Sequence, residues 1–297
     1  MTKILLTGIT GQVGQELQRT LTSIGEVVGV DRQAVDLTQA AQIRAQIQEI
    51  KPDVIVNAAA YTAVDKSETE SELAMAINAT APTQMAIAAQ EIGAKILHIS
   101  TDYVFDGKNH TPYLETDATD ALGVYGKSKL QGEIGVRDNC DRHLILRTAW
   151  VYGSRGHGNF VKTMLRLGKE RSELKVVADQ VGSPSWSYDI ALAITQLISK
   201  SSEDESIKGI YHYTNSGVAS WYDLAVATFA EARELGFPLE IERVIPISTA
   251  EFPTPTERPA YSVLSKAKIT AAIGVHPPYW RDSLRKMLAE WQSLNNY

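Results

Sequence analysis

Residues 125–129 read Tyr-Gly-Lys-Ser-Lys, which would set the Tyr125 phenol and the Lys129 ammonium on neighbouring turns of one helix face. A phenol in such a place can give up a proton. An isolated tyrosine has a pKa of about 10, and a neighbouring cation favours its ionised form, so the pair predicts a phenol drawn toward acid/base strength at neutral pH. A second hydroxyl comes from Ser100-Thr101-Asp102-Tyr103-Val104-Phe105, which follows the apolar run Lys95 to Ile99. That places Thr101 at the carboxyl end of a central strand, where it can meet the Tyr125 phenol over a bound nicotinamide.

Such chemistry needs a cofactor cradle, and the chain opens with one. Lys3 to Thr7 is a short apolar run of the kind that forms a buried parallel strand. It leads into Gly8-Ile-Thr-Gly11-Gln-Val-Gly14 and then a helix, Gln15 to Leu21, with Val13, Leu17 and Leu21 recurring every fourth residue. Strand, glycine turn and helix leave free N–H groups and the positive end of the helix dipole facing a pyrophosphate. Gly8, Thr10, Gly11, Gln12, Val13 and Gly14 are therefore the candidate cofactor-binding residues of this turn. The alternative is a glycine-rich turn without a ligand. A second strand, Glu26 to Val30, ends at Asp31-Arg32, where the adenosine ribose would lie. Asp31 accepts from a ribose 2′-hydroxyl and favours NADH; Arg32 holds a 2′-phosphate and favours NADPH. A third strand, Val54 to Asn57, runs into Ala58-Ala59-Ala60-Tyr61, small side chains that let a cofactor pass close to the backbone, or that simply pack tightly.

The intervening segments read as the helices of a doubly wound sheet. Ala40 to Ile50 is a helix stopped by Lys51-Pro52-Asp53, Ser67 to Glu72 begins one that carries Asn78, and Ala81 to Ile92 has Pro82 in its first turn and Gly93 as its cap. A loop from Asp106 to Gly123 precedes the Tyr125 helix, and Leu144 to Arg147 is the next strand. Beyond residue 150 the alternation loosens. Asn159 to Leu167, Tyr188 to Ile198, Trp221 to Leu235 and Trp280 to Leu294 read as helices, with strands at Leu174 to Val177 and Gly209 to Tyr213. Asp179 to Pro184 reads as a loop facing the cleft, Ser199 to Lys208 as a solvated linker, and the Pro-rich Phe252 to Pro259 as a shaped loop. The expected fold is α/β: a Rossmann-like doubly wound parallel sheet with a smaller α+β substrate-binding lobe. Residues 1–150 form the NAD(P)-binding domain, rejoined by about 186–212, and 151–297 form mainly the substrate lobe.

Composition narrows the partners. The 297 residues are 44% hydrophobic, enough for a sizeable core, and the net charge is −6 with no Lys/Arg clusters, which argues against a nucleic-acid surface. Cys140 is the one cysteine, so neither an internal disulfide nor a thiolate zinc site is expected. His98, His110, His143, His157, His212 and His276 are scattered without metal-ligand spacing, and no metal is predicted. The chain begins on a strand with no signal sequence, and no apolar run approaches about 20 residues. A cytoplasmic protein without a membrane partner is the expectation.

Taken together, Gly8 to Gly14, Asn57-Ala-Ala-Ala-Tyr-Thr-Ala-Val-Asp65, Ser100 to Phe105, Tyr125-x-x-x-Lys129, Arg147-x-x-Trp150-Val-Tyr-Gly153 and Pro253-Thr-Pro-x-x-Arg-Pro259 resemble the dTDP-4-dehydrorhamnose reductase family. This is a branch of the extended short-chain dehydrogenases/reductases, and the likeness runs over essentially the whole chain. The resemblance implies reduction of a 4-keto dTDP-sugar by NADPH or NADH, in nucleotide-sugar and polysaccharide precursor biosynthesis. Tyr125 would protonate the developing alkoxide, Thr101 would hydrogen-bond the same oxygen, and Lys129 would bind the nicotinamide ribose and keep the Tyr125 proton mobile. Asp36 and Leu37 match the place where relatives contact the adenine edge, although an Asp before a helix also serves as an N-cap. Asp102, Tyr103 and Trp150 match substrate-pocket positions; the two aromatics are alternatively core residues. Arg258 would meet the nucleotide diphosphate, or be a surface charge. Some family members hold magnesium at a dimer interface through acidic side chains; Glu16 matches one such position, but the Ser187-Tyr188 neighbourhood lacks a Glu. A homodimer follows from the resemblance alone.

Two rivals share this fold. A nucleotide-sugar dehydratase or epimerase is one, but related dehydratases carry Asp-Glu directly after the Thr, whereas Asp102 is followed here by Tyr103. The other is a non-catalytic, reductase-like regulatory subunit, against which Thr101, Tyr125 and Lys129 stand together.

Overall fold

The computed structural model describes residues 1–295. Its first half alternates strand and helix: β1 (Lys3–Thr7), α1 (Gln12–Thr20), β2 (Glu26–Val30), α2 (Ala40–Ile50), β3 (Val54–Asn57), α3 (Val64–Ser67), α4 (Ser71–Met75), a π-helical turn (Ala76–Thr80), α5 (Ala81–Ile92), β4 (Lys95–Thr101), α6 (Val124–Asn139) and β5 (His143–Thr148). The second half contains β6 (Val151–Tyr152), α7 (Phe160–Glu170), β7 (Glu173–Val177), β8 (Val181–Gly182), β9 (Ser185–Trp186), α8 (Ser187–Glu203), β10 (Gly209–His212), β11 (Ala219–Ser220), α9 (Trp221–Glu234), β12 (Arg243–Ile247), α10 (Ala267–Ile273) and α11 (Trp280–Asn295).

Six strands form one sheet in the order β10-β5-β4-β3-β1-β2, and every pairing in it is parallel. The direction of winding reverses between β1 and β3, the crevice in which open α/β sheets take their ligands. Among the described residues no strand lies beyond β2; the chain there turns through Asp31 to Thr38 instead. Alternate side chains of each strand feed two cores, as a period of two requires. Ile4, Leu6, Val56, Leu97 and Leu146 pack with Leu17 of α1 and Ile190 and Ile194 of α8. Leu5, Ile55, Ile96 and Ile145 pack with Ile43, Met85 and Val136 of α2, α5 and α6. Full burial of each such aliphatic chain stabilises by roughly 1.5–3 kcal/mol, so the sheet is the rigid base for what stands at its edge.

The remaining strands are small. β7 and β12 pair in parallel, β8 with β11 antiparallel and β6 with β9 in parallel, and α7, α9 and α11 cover them around Tyr152, Trp186, Leu224, Trp280 and Leu284.

Several local expectations need correction. α1 starts at Gln12 rather than Gln15, and residues Leu21–Ser23 tighten into a 3₁₀ turn. The segment from Ser67 is not one helix carrying Asn78 but α3, α4 and the π turn. Val181 and Gly182 lie in a ladder within the expected loop. The expected linker from Ser199 is helical to Glu203: Ser201 and Ser202 bond back to the Ile198 carbonyl, and buried Lys95 donates to the Ser201 carbonyl. Ser-rich composition suggested solvent, but these hydroxyls are satisfied within the helix.

Candidate active site

α6 enters the site from its amino end, where the Val124 amide donates to Glu68 Oε1 at 3.0 Å. Tyr125 follows, half-buried, with its ring edge-on to Tyr103 at 5.4 Å between centroids. Burial pushes its phenol up to about 12; Asp102 acts in the same direction, and a hydrogen bond with Thr101 opposes them. The Thr101 and Tyr125 oxygens thus share one site. The expectation that Lys129 draws the phenol toward ionisation is overturned. Lys129 Nζ is directed at the sheet, donating to Ile99 O at 2.6 Å and lying 3.3 Å from His98 Nε2. A phenol held above its ordinary range stays protonated at neutral pH, which is the form a proton donor needs. Lys129 itself is buried, and desolvation pushes its ammonium down to about 8 against the pull of Glu133.

Thr101 ends β4 and is bonded on two sides: its Oγ1 donates to Asp102 Oδ1 at 3.0 Å and accepts from Tyr103 N at 3.2 Å. Asp102 is buried, and desolvation pushes its carboxyl up to about 6. Burial also raises the Tyr103 phenol, with Arg258 opposing. Arg258 Nη2 bonds Asp65 Oδ2 at 3.2 Å, while its Nε is buried without a partner. Trp150 is held in an aromatic stack, 3.6 Å from Trp221 and within 3° of parallel. Its φ of 48° lies in the left-handed region, a conformation that costs roughly 1–3 kcal/mol in a bulky residue.

The glycine turn is shaped by two positions that admit no side chain. At Gly8, φ 73°, a Cβ would stand 2.6 Å from the Ala58 and Ala59 backbone; at Gly14 it would stand 2.0 Å from Gly8 O. The turn therefore lies flat against the end of β3, at the reversal of winding. The Gly11 amide closes it onto Gly8 O at 3.0 Å, and the first helical bond runs from Gln15 to Gly11, so the Gln12, Val13 and Gly14 amides have no intrahelical partner. Thr10 is exposed at its rim. These features fit a pyrophosphate.

Other candidates are spread along the same edge. Ala58, Ala59 and Ala60 are half-buried, and the Tyr61 hydroxyl donates to Glu70 at 2.6 Å, which pushes its pKa up to about 12. Asp31 Oδ1 accepts from the amides of Gln33 and Ala34, and Arg32 is exposed beside it. Asp36 does not cap α2, whose N-cap is Gln39; its carboxylate accepts from the Thr38 amide and hydroxyl, which lowers its pKa. Leu37 packs beneath, on the α2 core. Glu16 is buried and bonded by Arg19 at 2.6 Å, with Arg155 3.7 Å away; among the described residues no group of acidic, His or Cys side chains could hold a metal.

Sequence reasoning missed the residues that hold these pieces together. Asn78, on the π turn, accepts from the Tyr61 amide at 2.8 Å and donates to Tyr61 O and Ser128 Oγ, tying the β3 loop to α6. Asn159, the N-cap of α7, donates to Gln12 Oε1 at 2.7 Å. Gly156 lies so close that a Cβ would stand 2.8 Å from the Gln12 amide nitrogen. Residues 156 and 159 thereby rest on the glycine turn. An available signal was Asn57, a polar residue ending an otherwise apolar strand.

A family model described as RmlD substrate binding domain matches residues 1–293. The dTDP-4-dehydrorhamnose reductase of Escherichia coli (strain K12) is 44% identical over 291 residues, covering 97% of each chain. A crystal structure of a dTDP-4-dehydrorhamnose reductase from Clostridium acetobutylicum ATCC 824 is similar at a TM-score of 0.89 and 41% identity, covering 98% of this chain and 99% of that one. The Bacillus anthracis str. Ames enzyme, solved in complex with NADP, superposes at a TM-score of 0.90 with 38% identity, covering 97% of this chain and 99% of its own.

Proposed function

The chain belongs to the RmlD substrate binding domain family, and from that premise we propose that it is a dTDP-4-dehydrorhamnose reductase, reducing dTDP-4-dehydro-β-L-rhamnose to dTDP-L-rhamnose with NADPH or NADH. When bound, the reduced dinucleotide supplies a hydride to the 4-keto carbon. The protein's part is to hold the reactants and to deliver the proton. Tyr125, kept protonated by its surroundings, gives its phenolic proton to the developing alkoxide, and Thr101 hydrogen-bonds that oxygen. Lys129 holds the nicotinamide ribose. Gly8, Thr10, Gly11, Gln12, Val13 and Gly14 hold the pyrophosphate, Asp31 and Arg32 the adenosine ribose, Asp36 and Leu37 the adenine, and Ala58 to Tyr61 line the passage between. Asp102, Tyr103, Trp150 and Arg258 form the sugar-nucleotide side, where the unpartnered Nε of Arg258 suits a diphosphate oxygen.

The observation that carries this reading is the convergence of Thr101, at the end of β4 and bonded to the Tyr103 amide, with Tyr125, whose ring lies edge-on to Tyr103 at 5.4 Å, and Lys129 buried one turn on. Residues 1–150, rejoined by 186–212, act as the dinucleotide domain and the remainder as the substrate lobe. Likeness to the family also extends the reading to a homodimer in the cytoplasm; no helix among the described residues is long and apolar enough to cross a membrane. The test is to mix purified protein, NADPH or NADH and the 4-keto sugar nucleotide and to follow absorbance of the reduced cofactor. Stoichiometric consumption supports the reductase. Product change without consumption would make it an epimerase or dehydratase, and neither change would leave a binding subunit.

A further inference from the structure

The helix that presents Tyr125 has no cap of its own. Gly123, its N-cap, has no side chain to offer, and the first turn carries no acidic residue. The first bond of the helix ladder runs from the Lys127 amide to Gly123 O, so the Val124, Tyr125 and Gly126 amides have no intrahelical partner. Tyr125 thus stands on the turn most given to fraying. A carboxylate from elsewhere supplies the cap. Glu68, which follows α3, accepts from the Val124 amide with Oε1 at 3.0 Å, where it also complements the positive end of the helix dipole. The buried Thr256 hydroxyl lies 3.4 Å from the same oxygen and 3.1 Å from Val64 O, its one proton shared between them. The three segments meet closely: a Cβ at Gly123 would stand 2.6 Å from Thr256 Cγ2 and 2.7 Å from Glu68 Oε1. With φ at −104° that glycine answers to crowding, not to backbone conformation.

We infer that Glu68 is a positioning residue acting through Tyr125: it fixes the first turn of α6 and, by way of Thr256, ties that turn to the Pro-rich loop that carries Arg258. The inference rests on the reading of Tyr125 as the proton donor. Beyond the phenol the helix is already held, since Ser128 Oγ donates to Tyr125 O at 2.8 Å and a Cβ at Gly126 would stand 2.2 Å from Tyr103 O. Glu68 is the hold on the amino side. Arg258 bonds Asp65, one turn before Glu68, so residues 64–68 grip both the loop and the helix start. Pro253, Pro255 and Pro259 limit how far the loop can shift independently. A sugar nucleotide seated on Arg258 then meets a phenol aimed from the same short segment.

Glu68 is exposed, so Glu68→Ala removes the contact without opening the core. Its kcat is expected to fall about tenfold, because a small misplacement of the phenol slows proton transfer, while NADPH affinity by fluorescence titration changes by less than about twofold. Glu68→Gln keeps an oxygen for the Val124 amide and is expected to stay within about threefold of the parental kcat. In a Tyr125→Phe background, Glu68→Ala is expected to slow turnover by less than about twofold further, since a group that only aims the phenol has nothing left to aim. A cap that merely stabilised the fold would leave kcat parental in the folded Glu68→Ala protein, and a group acting elsewhere in the site would slow both backgrounds equally; either result overturns the proposal. Gly123→Ala, whose Cβ displaces Glu68 and Thr256 from the helix start, is expected to show the same fall, and parental turnover there overturns the proposal even if Glu68→Ala is not recovered folded. A Tyr125→Phe protein that turns over at the parental rate would instead remove the proton-donor reading itself.

Discussion

At the scale of single residues, the site is governed by desolvation more than by charge pairing. Tyr125 is separated from the ammonium that its spacing suggested, and burial strengthens its hold on the proton. Replacing it with Phe removes only the donor: turnover is expected to fall by about 10²–10⁴ while cofactor affinity changes by less than about threefold, checked by steady-state rates and fluorescence titration. Asp102 carries a stability consequence. Burial pushes its carboxyl up to about 6, above the ordinary carboxylate range, so folding favours the neutral acid. That contribution is complete below the ordinary carboxylate range and is lost as pH rises through about 6. Asp102→Asn should therefore gain stability relative to the parent between pH 4 and pH 7, by up to roughly 3 kcal/mol, as read by denaturant melts across that range. The residue types were legible in the sequence. Their protonation was not, because spacing along a helix does not say which way a long side chain turns once a carbonyl and an imidazole compete for it.

At the scale of elements, the buried ion pair of Glu133 and Arg147 helps fix α6 to the sheet, with the Arg147 guanidinium also 5.0 Å from the Phe105 ring centroid. Arg147→Met leaves Glu133 buried without its partner and is expected to cost about 3–5 kcal/mol in unfolding free energy. The double variant Glu133→Gln, Arg147→Met should recover much of that loss. The strands and helices of the sheet were readable because their signals are local: an apolar run, a glycine after it, a Pro in a first turn. β2, β3 and α2 begin and end at the residues that the pattern predicts. The two-residue ladders β6, β8, β9 and β11 were not readable, since strands so short carry no alternation and exist only because a distant segment pairs with them. The π turn was equally silent, since one residue of extra winding in the backbone leaves no mark in composition.

At the scale of the molecule, the sheet and α6 supply the hydroxyls and the turn after β1 the glycines, and the second half of the chain leans over them. Asn159→Ala removes the bond to Gln12 and the cap of α7 together. Loss of a cap alone costs about 1 kcal/mol, which a melt would report; Gln12→Ala breaks the same contact and spares the cap. Both variants are expected to speed release of the dinucleotide in stopped-flow displacement, with Gln12→Ala doing so at nearly parental stability. None of this contact was visible in sequence, because residues 12 and 159 are brought together only by the whole fold. A side chain at position 156 would press on the very amide that opens α1, so how near the later half of the chain can lie to the turn depends on the bare backbone kept there.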